Sequence, residues 1–175
     1  MKVAEICDVF TECFLTSHRT CLRGDVDEPL YAPASNSEEL HIIFFRSDFV
    51  ASALHEVSHW CIAGPSRREQ EDFGYWYDLE RDIERQAEFE LFEARPQGLE
   101  WVFSVAAGLS FRVSCDNFDD QALNVDRFRG QVRSAALEWV RGGLTPRAEK
   151  FAQGLMAQSG VTDPYNEKHY EELPK

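Results

Sequence analysis

No stretch of this chain approaches the ~18–20 consecutive apolar residues that a membrane-spanning helix needs, so such a helix is not expected. Cysteine is present but never paired. Cys7, Cys13, Cys21, Cys61 and Cys115 are odd in number, scattered, and without a Cys-x-x-Cys spacing. A disulfide framework and a zinc ribbon are both disfavoured, and the expectation is core-directed, reduced thiols in a reducing compartment. Positive charge is also short. Lys and Arg number 18 against 31 Asp and Glu, a formal net charge of −13, which argues against direct binding to nucleic acid. Such acidity suits solubility, or attraction to a basic, lysine-bearing partner. The opening Met1 to Asp8 includes Glu5 and Asp8 where a secretory leader is uniformly apolar, so a cytoplasmic location is expected.

What is present points to one ordinary folded domain. The 175 residues are 43% hydrophobic and 13% aromatic, enough to build a core and too apolar for a disordered chain. Val3, Ile6, Val9, Phe10, Cys13 and Phe14 recur at three- and four-residue steps and predict an amphipathic helix over 3–16. Gly and Pro punctuate 23–36, which reads as loop, and His41 to Phe45 reads as a strand. A helix from about Phe49 to Ala63 ends at Gly64-Pro65. The aromatic run 73–77 suits a strand or a pocket lining. Residues 80–94 read as a helix, and Pro96 suits the first turn of the next one, reaching Gly108. A strand is possible over 111–115, and helices near 124–141 and 146–158 follow. The expected fold class is α+β: a single compact domain, helix-rich with a small β-sheet and a zincin-like metal helix. Residues 1–158 would form the catalytic domain and 159–175 a polar, peripheral C-terminal tail.

The most informative segment is His55-Glu56-Val57-Ser58-His59-Trp60. In a helix, His55 and His59 stand one turn apart on one face, so both imidazoles reach a single ion. Glu56 is rotated about 100° from His55 and can serve as a base or a hydrogen-bond acceptor beside the metal. This spacing belongs to zinc hydrolases. Two histidines and a carboxylate also form the facial triad of non-haem iron oxygenases. A third ligand is expected some 20–40 residues downstream, a window rich in Asp and Glu. Measured from the Ile83/Ala87/Leu91 stripe, Glu90 lies about 60° off centre and Glu93 about 120° off, so periodicity favours Glu90.

Several blocks in order carry a family resemblance: Gly24-Asp25 with Asp27-Glu28-Pro29-Leu30-Tyr31; Ala51 to Gly64; Arg67-Arg68-Glu69; Asp72-Phe73-Gly74-Tyr75-Trp76-Tyr77; Arg95-Pro96-Gln97; and Val113-Ser114-Cys115-Asp116-Asn117. From about residue 5 to 158 the chain resembles the bacterial elongation factor P hydroxylases. The resemblance implies hydroxylation of the β-lysylated lysine of elongation factor P by a metal held between two histidines and a carboxylate. By position these are His55, His59 and Glu93, against the periodicity that favours Glu90.

Inserting oxygen into an unactivated C–H bond needs a redox metal, so Fe(II) with dioxygen as co-substrate is the expected pairing. Glu56 is the expected catalytic acid or base. A doubly cationic lysyl-lysine side chain calls for carboxylates and aromatic faces, types supplied by Asp72, Tyr75, Trp76, Tyr77 and Asp116. Arg67 and Arg68 could meet an acidic partner surface or cap the motif helix. A requirement for 2-oxoglutarate is open, because Arg67, Arg68, Arg95 and Arg112 are all of the type its carboxylate would need. The competing class is a small zinc metallopeptidase or amidase using the same motif, with Glu56 activating water.

Overall fold

The computed structural model describes residues 1–47, 49–71, 83–114 and 122–172, with the backbone alone for 83–91 and 122–124. Helix α1 (Val3–His18) buries Ile6, Val9, Phe10 and Phe14, the stripe its periodicity predicts. Arg19 then adopts a left-handed conformation, φ 50°, and turns the chain into strand β1 (Thr20–Val26). With β2 (Leu30–Ala32) and β3 (His41–Arg46) it forms a three-stranded sheet of order β1-β3-β2. β1 runs parallel to β3 and β2 antiparallel to it.

Two of these strands replace the loop expected over 23–36. The punctuating Gly24-Asp25 pair does not end β1. It sits at an irregularity where the register against β3 shifts between Arg23 and Val26, and Asp25 takes φ 67°. A side chain at Gly24 would lie 2.6 Å from the Ser47 carbonyl oxygen, so that position accepts glycine alone.

Helix α2 (Val50–Ile62) carries the motif and is followed by a 3-10 turn at Ser66–Glu69. Helix α3 (Ile83–Ala106) is one continuous element of 24 residues, not two helices divided at Pro96. α3 packs along α4 (Ala122–Gly142), and a side chain at Gly98 would stand 2.7 Å from the Ala136 backbone nitrogen. That close approach, with buried neighbours on both sides, holds α3 helical across a residue that normally costs ~3 kcal/mol inside a helix. Helix α5 (Pro146–Ser159) begins at Thr145, whose hydroxyl accepts the Ala148 N–H.

The core is aromatic. Trp60 on α2 packs edge-on against Phe10 and Phe14 of α1, with ring centroids 5.4 and 4.8 Å apart, and Phe151 of α5 joins them. This anchors one face of α2 and leaves the histidine face toward α3. Residues 111–114 form no strand. The Gln97 side chain holds Ser114 by two bonds of 3.1 Å, one to its carbonyl and one from its N–H, much as a neighbouring strand would. Nor is the segment after Ser159 peripheral. Tyr170 in the 3-10 turn Glu167–Tyr170 is fully buried against Trp101, and its hydroxyl donates to the Pro164 carbonyl. A mostly polar stretch is pinned by one large apolar anchor. The result is a single helix-rich α+β domain with a small sheet. Among the described residues no helix is long and apolar enough to cross a membrane.

Candidate metal centre

α2 and α3 face each other across the site. The α2 face supplies His55 and His59, whose Nε2 atoms are 3.0 Å apart. The α3 face supplies Glu93, with Oε2 3.5 Å from His55 Nε2 and Oε1 3.6 Å from His59 Nε2. One donor atom from each residue lies within 4.8 Å of the other two. Donors roughly 2.1 Å from a common ion stand about 3.0–3.4 Å apart at octahedral to tetrahedral angles, so these separations fit one small cation. The side chain of Glu90 lies outside the described residues. So do Asp72, Tyr75, Trp76, Tyr77 and Asp116.

Glu100 was not anticipated from the sequence. Its Oε2 is 2.9 Å from His55 Nδ1, the ring nitrogen turned away from Glu93. A carboxylate there fixes the ring orientation and makes Nε2 a better ligand. The signal that could have found it is a buried polar stripe along α3. Glu93, Gln97, Glu100 and Ser104 follow one another at steps of four, three and four, and none is more than 4% exposed. Polar residues at core-facing spacing in an otherwise apolar helix need partners.

The charge balance also points to a cation. Among the described residues, three buried carboxyls, Glu56, Glu93 and Glu100, gather around the imidazoles of His55 and His59. Burial pushes the carboxyls of Glu56 and Glu100 above their ordinary range, opposed by the histidines. Burial lowers His55, but the hydrogen bond and charge of Glu100, with Glu93 and Glu56, outweigh it and raise the imidazole to about 10. The site therefore holds a proton when it holds no metal, and a bound ion would displace it.

Glu56 makes no hydrogen bond among the described residues. Glu56 instead lines a narrow cleft with His59, Trp60, Tyr31 and Arg68. Below it the C-terminal carbonyls of α2 are capped by α5. Arg147 donates to the Trp60, Cys61 and Ala63 carbonyls, and Thr145 to that of Cys61. Arg68 adds only a long contact, Nε to the Gly64 carbonyl at 3.4 Å, so the capping considered for Arg67 and Arg68 falls chiefly to Arg147. Of the other arginines weighed for an anion, Arg95 lies over the Trp139 ring at 4.5 Å and Arg112 is exposed.

Two facing helices that bring two histidines and a carboxylate together, with a further carboxylate behind one ring, define a candidate mononuclear metal protein. The family model for elongation factor P hydroxylase matches residues 9–170. A relative in Haemophilus influenzae described as elongation factor P lysine hydroxylase is 38% identical over 166 residues, covering 94% of this chain and 93% of its own. The chain belongs to the elongation factor P hydroxylase family.

Proposed function

We propose that this chain is a metal-dependent hydroxylase of the β-lysylated lysine of elongation factor P, acting late in maturation of that factor in the cytoplasm. The observation that carries the reading is the buried His55/His59/Glu93 cluster within a family member matched over nearly its full length. The peptidase reading of the bare motif is not favoured beside that match.

The donor set fits a single divalent ion, with His55, His59 and Glu93 as ligands and positions left over for exchangeable groups. Fe(II) would supply the redox chemistry that dioxygen needs to hydroxylate a C–H bond, which zinc, with one accessible oxidation state, would not. Glu100 holds His55 in its ligating orientation. Glu56, buried at the cleft beside the ligands with its pKa raised by burial, is suited to carry a proton to or from the reacting group. Asp72, Tyr75, Trp76, Tyr77 and Asp116 are proposed to meet the two ammonium groups of the substrate through charge and ring faces.

The test is mass spectrometry of β-lysylated elongation factor P incubated with the chain, ferrous iron, a reductant and isotopically heavy dioxygen. The modified lysine gains the mass of one heavy oxygen atom, and His55→Ala abolishes the gain. No gain with any of several reductants would refute the assignment.

A further inference from the structure

The cleft at the metal centre continues away from it. Tyr31, Trp60 and Arg68 line both the cleft holding Glu56 and His59 and a second, open hollow that reaches His18 and His41. This groove differs in charge from the rest of an acidic protein. Arg68 is partly buried, and among the described residues its guanidinium has no carboxylate within ion-pair distance. Glu69, which also lines the groove, is exposed and makes no ion pair among the described residues. Behind Arg68, Arg147 is committed to backbone carbonyls and to the Trp60 ring at 4.8 Å.

Neighbouring groups report the resulting positive field. Burial lowers His18, and Arg147, Arg68 and Lys150 lower it further; burial, Arg19 and Arg68 do the same to His41. Arg68 also depresses the guanidinium of Arg147, after burial. Two neutral donors belong to residues lining the groove. Trp60 is 4% exposed, and its indole N–H makes no well-formed hydrogen bond, although it faces the Tyr31 phenol closely enough to oppose the upward push of burial there. His41 Nδ1 accepts the Ala34 N–H at 3.0 Å, so the neutral ring carries its proton on Nε2.

We propose that this groove is an anion subsite that seats a carboxylate beside the metal centre, with Arg68 as its charge partner and the ring N–H groups of Trp60 and His41 as donors. One unneutralised guanidinium matches a singly charged anion better than a phosphate dianion, and its planar fork pairs with a carboxylate. The carboxylate can come from a small organic acid acting as co-substrate or from an Asp or Glu side chain of the protein substrate. Both roles rest on the proposed function, but binding of a free acid at the groove does not.

The experiment follows the Trp60 indole N–H resonance of the metal-loaded chain during titration with acetate and succinate at constant ionic strength, with chloride as control. In parallel, calorimetry measures binding of elongation factor P to the wild type and to Arg68→Gln. The small-acid source predicts saturable shifts with either acid that weaken at least ~10-fold in Arg68→Gln, about 1.4 kcal/mol, and recover in part in Arg68→Lys. The protein source predicts no saturation with the free acids but a loss of similar size for elongation factor P. Shifts that chloride reproduces, or affinities for acids and partner alike unchanged in Arg68→Gln, overturn the subsite. The acid titration remains informative even if the chain hydroxylates nothing.

Discussion

Glu100 is not among the three grouped donors, yet it acts on the site through His55. Its 2.9 Å contact with His55 Nδ1 sets which nitrogen faces Glu93. Replacing Glu100 with Gln should weaken metal binding roughly 10–100-fold in a chelator competition while the fold persists. A variant with wild-type affinity would show that His55 is oriented by packing alone. The same buried groups give a pH dependence. His55 is raised from about 6.5 unfolded to about 10 in the metal-free fold, and Glu56 and Glu100 are raised as well. The folded metal-free chain thus binds more protons than the unfolded one. The stability from His55 is complete below pH about 6.5 and lost as pH climbs toward about 10. Thermal melts should show Tm of the stripped protein falling over that window while the gain from added metal grows, because the ion replaces the His55 proton. Flat profiles for both would contradict the assignment. The histidine pair was legible because its geometry is local to one helix. Glu93 and Glu100 were not legible by periodicity alone, because their meaning depends on which face of α3 meets α2.

At the scale of the element, α3 is the part most easily misread. Pro96 suggested a break, but the packing of α3 against α4 overrides it, and Glu93 and Glu100 lie on either side of the proline along one buried stripe. Gly98 permits that packing. Gly98→Ala puts a carbon into the Ala135–Ala136 backbone and should cost about 1–3 kcal/mol in denaturant unfolding, with weaker metal binding as α3 shifts. Unchanged stability would mean that the two helices can separate without strain. The first strand is misread for a related reason. Gly24 and Asp25 look like turn residues, but the register shift absorbs them within β1. Helices α1 and α5 follow their sequence periodicity closely, since each buries a stripe that its own spacing sets, whereas α2 is buried on nearly every side from Ala53 to Cys61.

Taken whole, the molecule holds its α2–α3 site in place from outside. α5 caps α2 through Arg147 and Thr145, and the C-terminal segment clamps α3 and α4 through Tyr170, Trp101 and the bond from Arg133 to the Tyr170 carbonyl. Tyr170→Ala should cost roughly 3–5 kcal/mol, as for other large buried aromatics, and lower Tm accordingly; a loss below about 1 kcal/mol would mean the segment is dispensable. None of this was visible in a polar tail whose two tyrosines, Tyr165 and Tyr170, stand among many charges. The central claim remains that a redox ion held by His55, His59 and Glu93 drives hydroxylation of a lysine. The most direct test strips the chain of metal, reloads it with ferrous iron or with zinc, and weighs the β-lysylated elongation factor P lysine after exposure to dioxygen and reductant. The account predicts one added oxygen atom with iron and none with zinc, with Glu93→Gln losing both metal and product and Glu90→Gln keeping both. Equal product from the zinc-loaded or metal-free chain would contradict it.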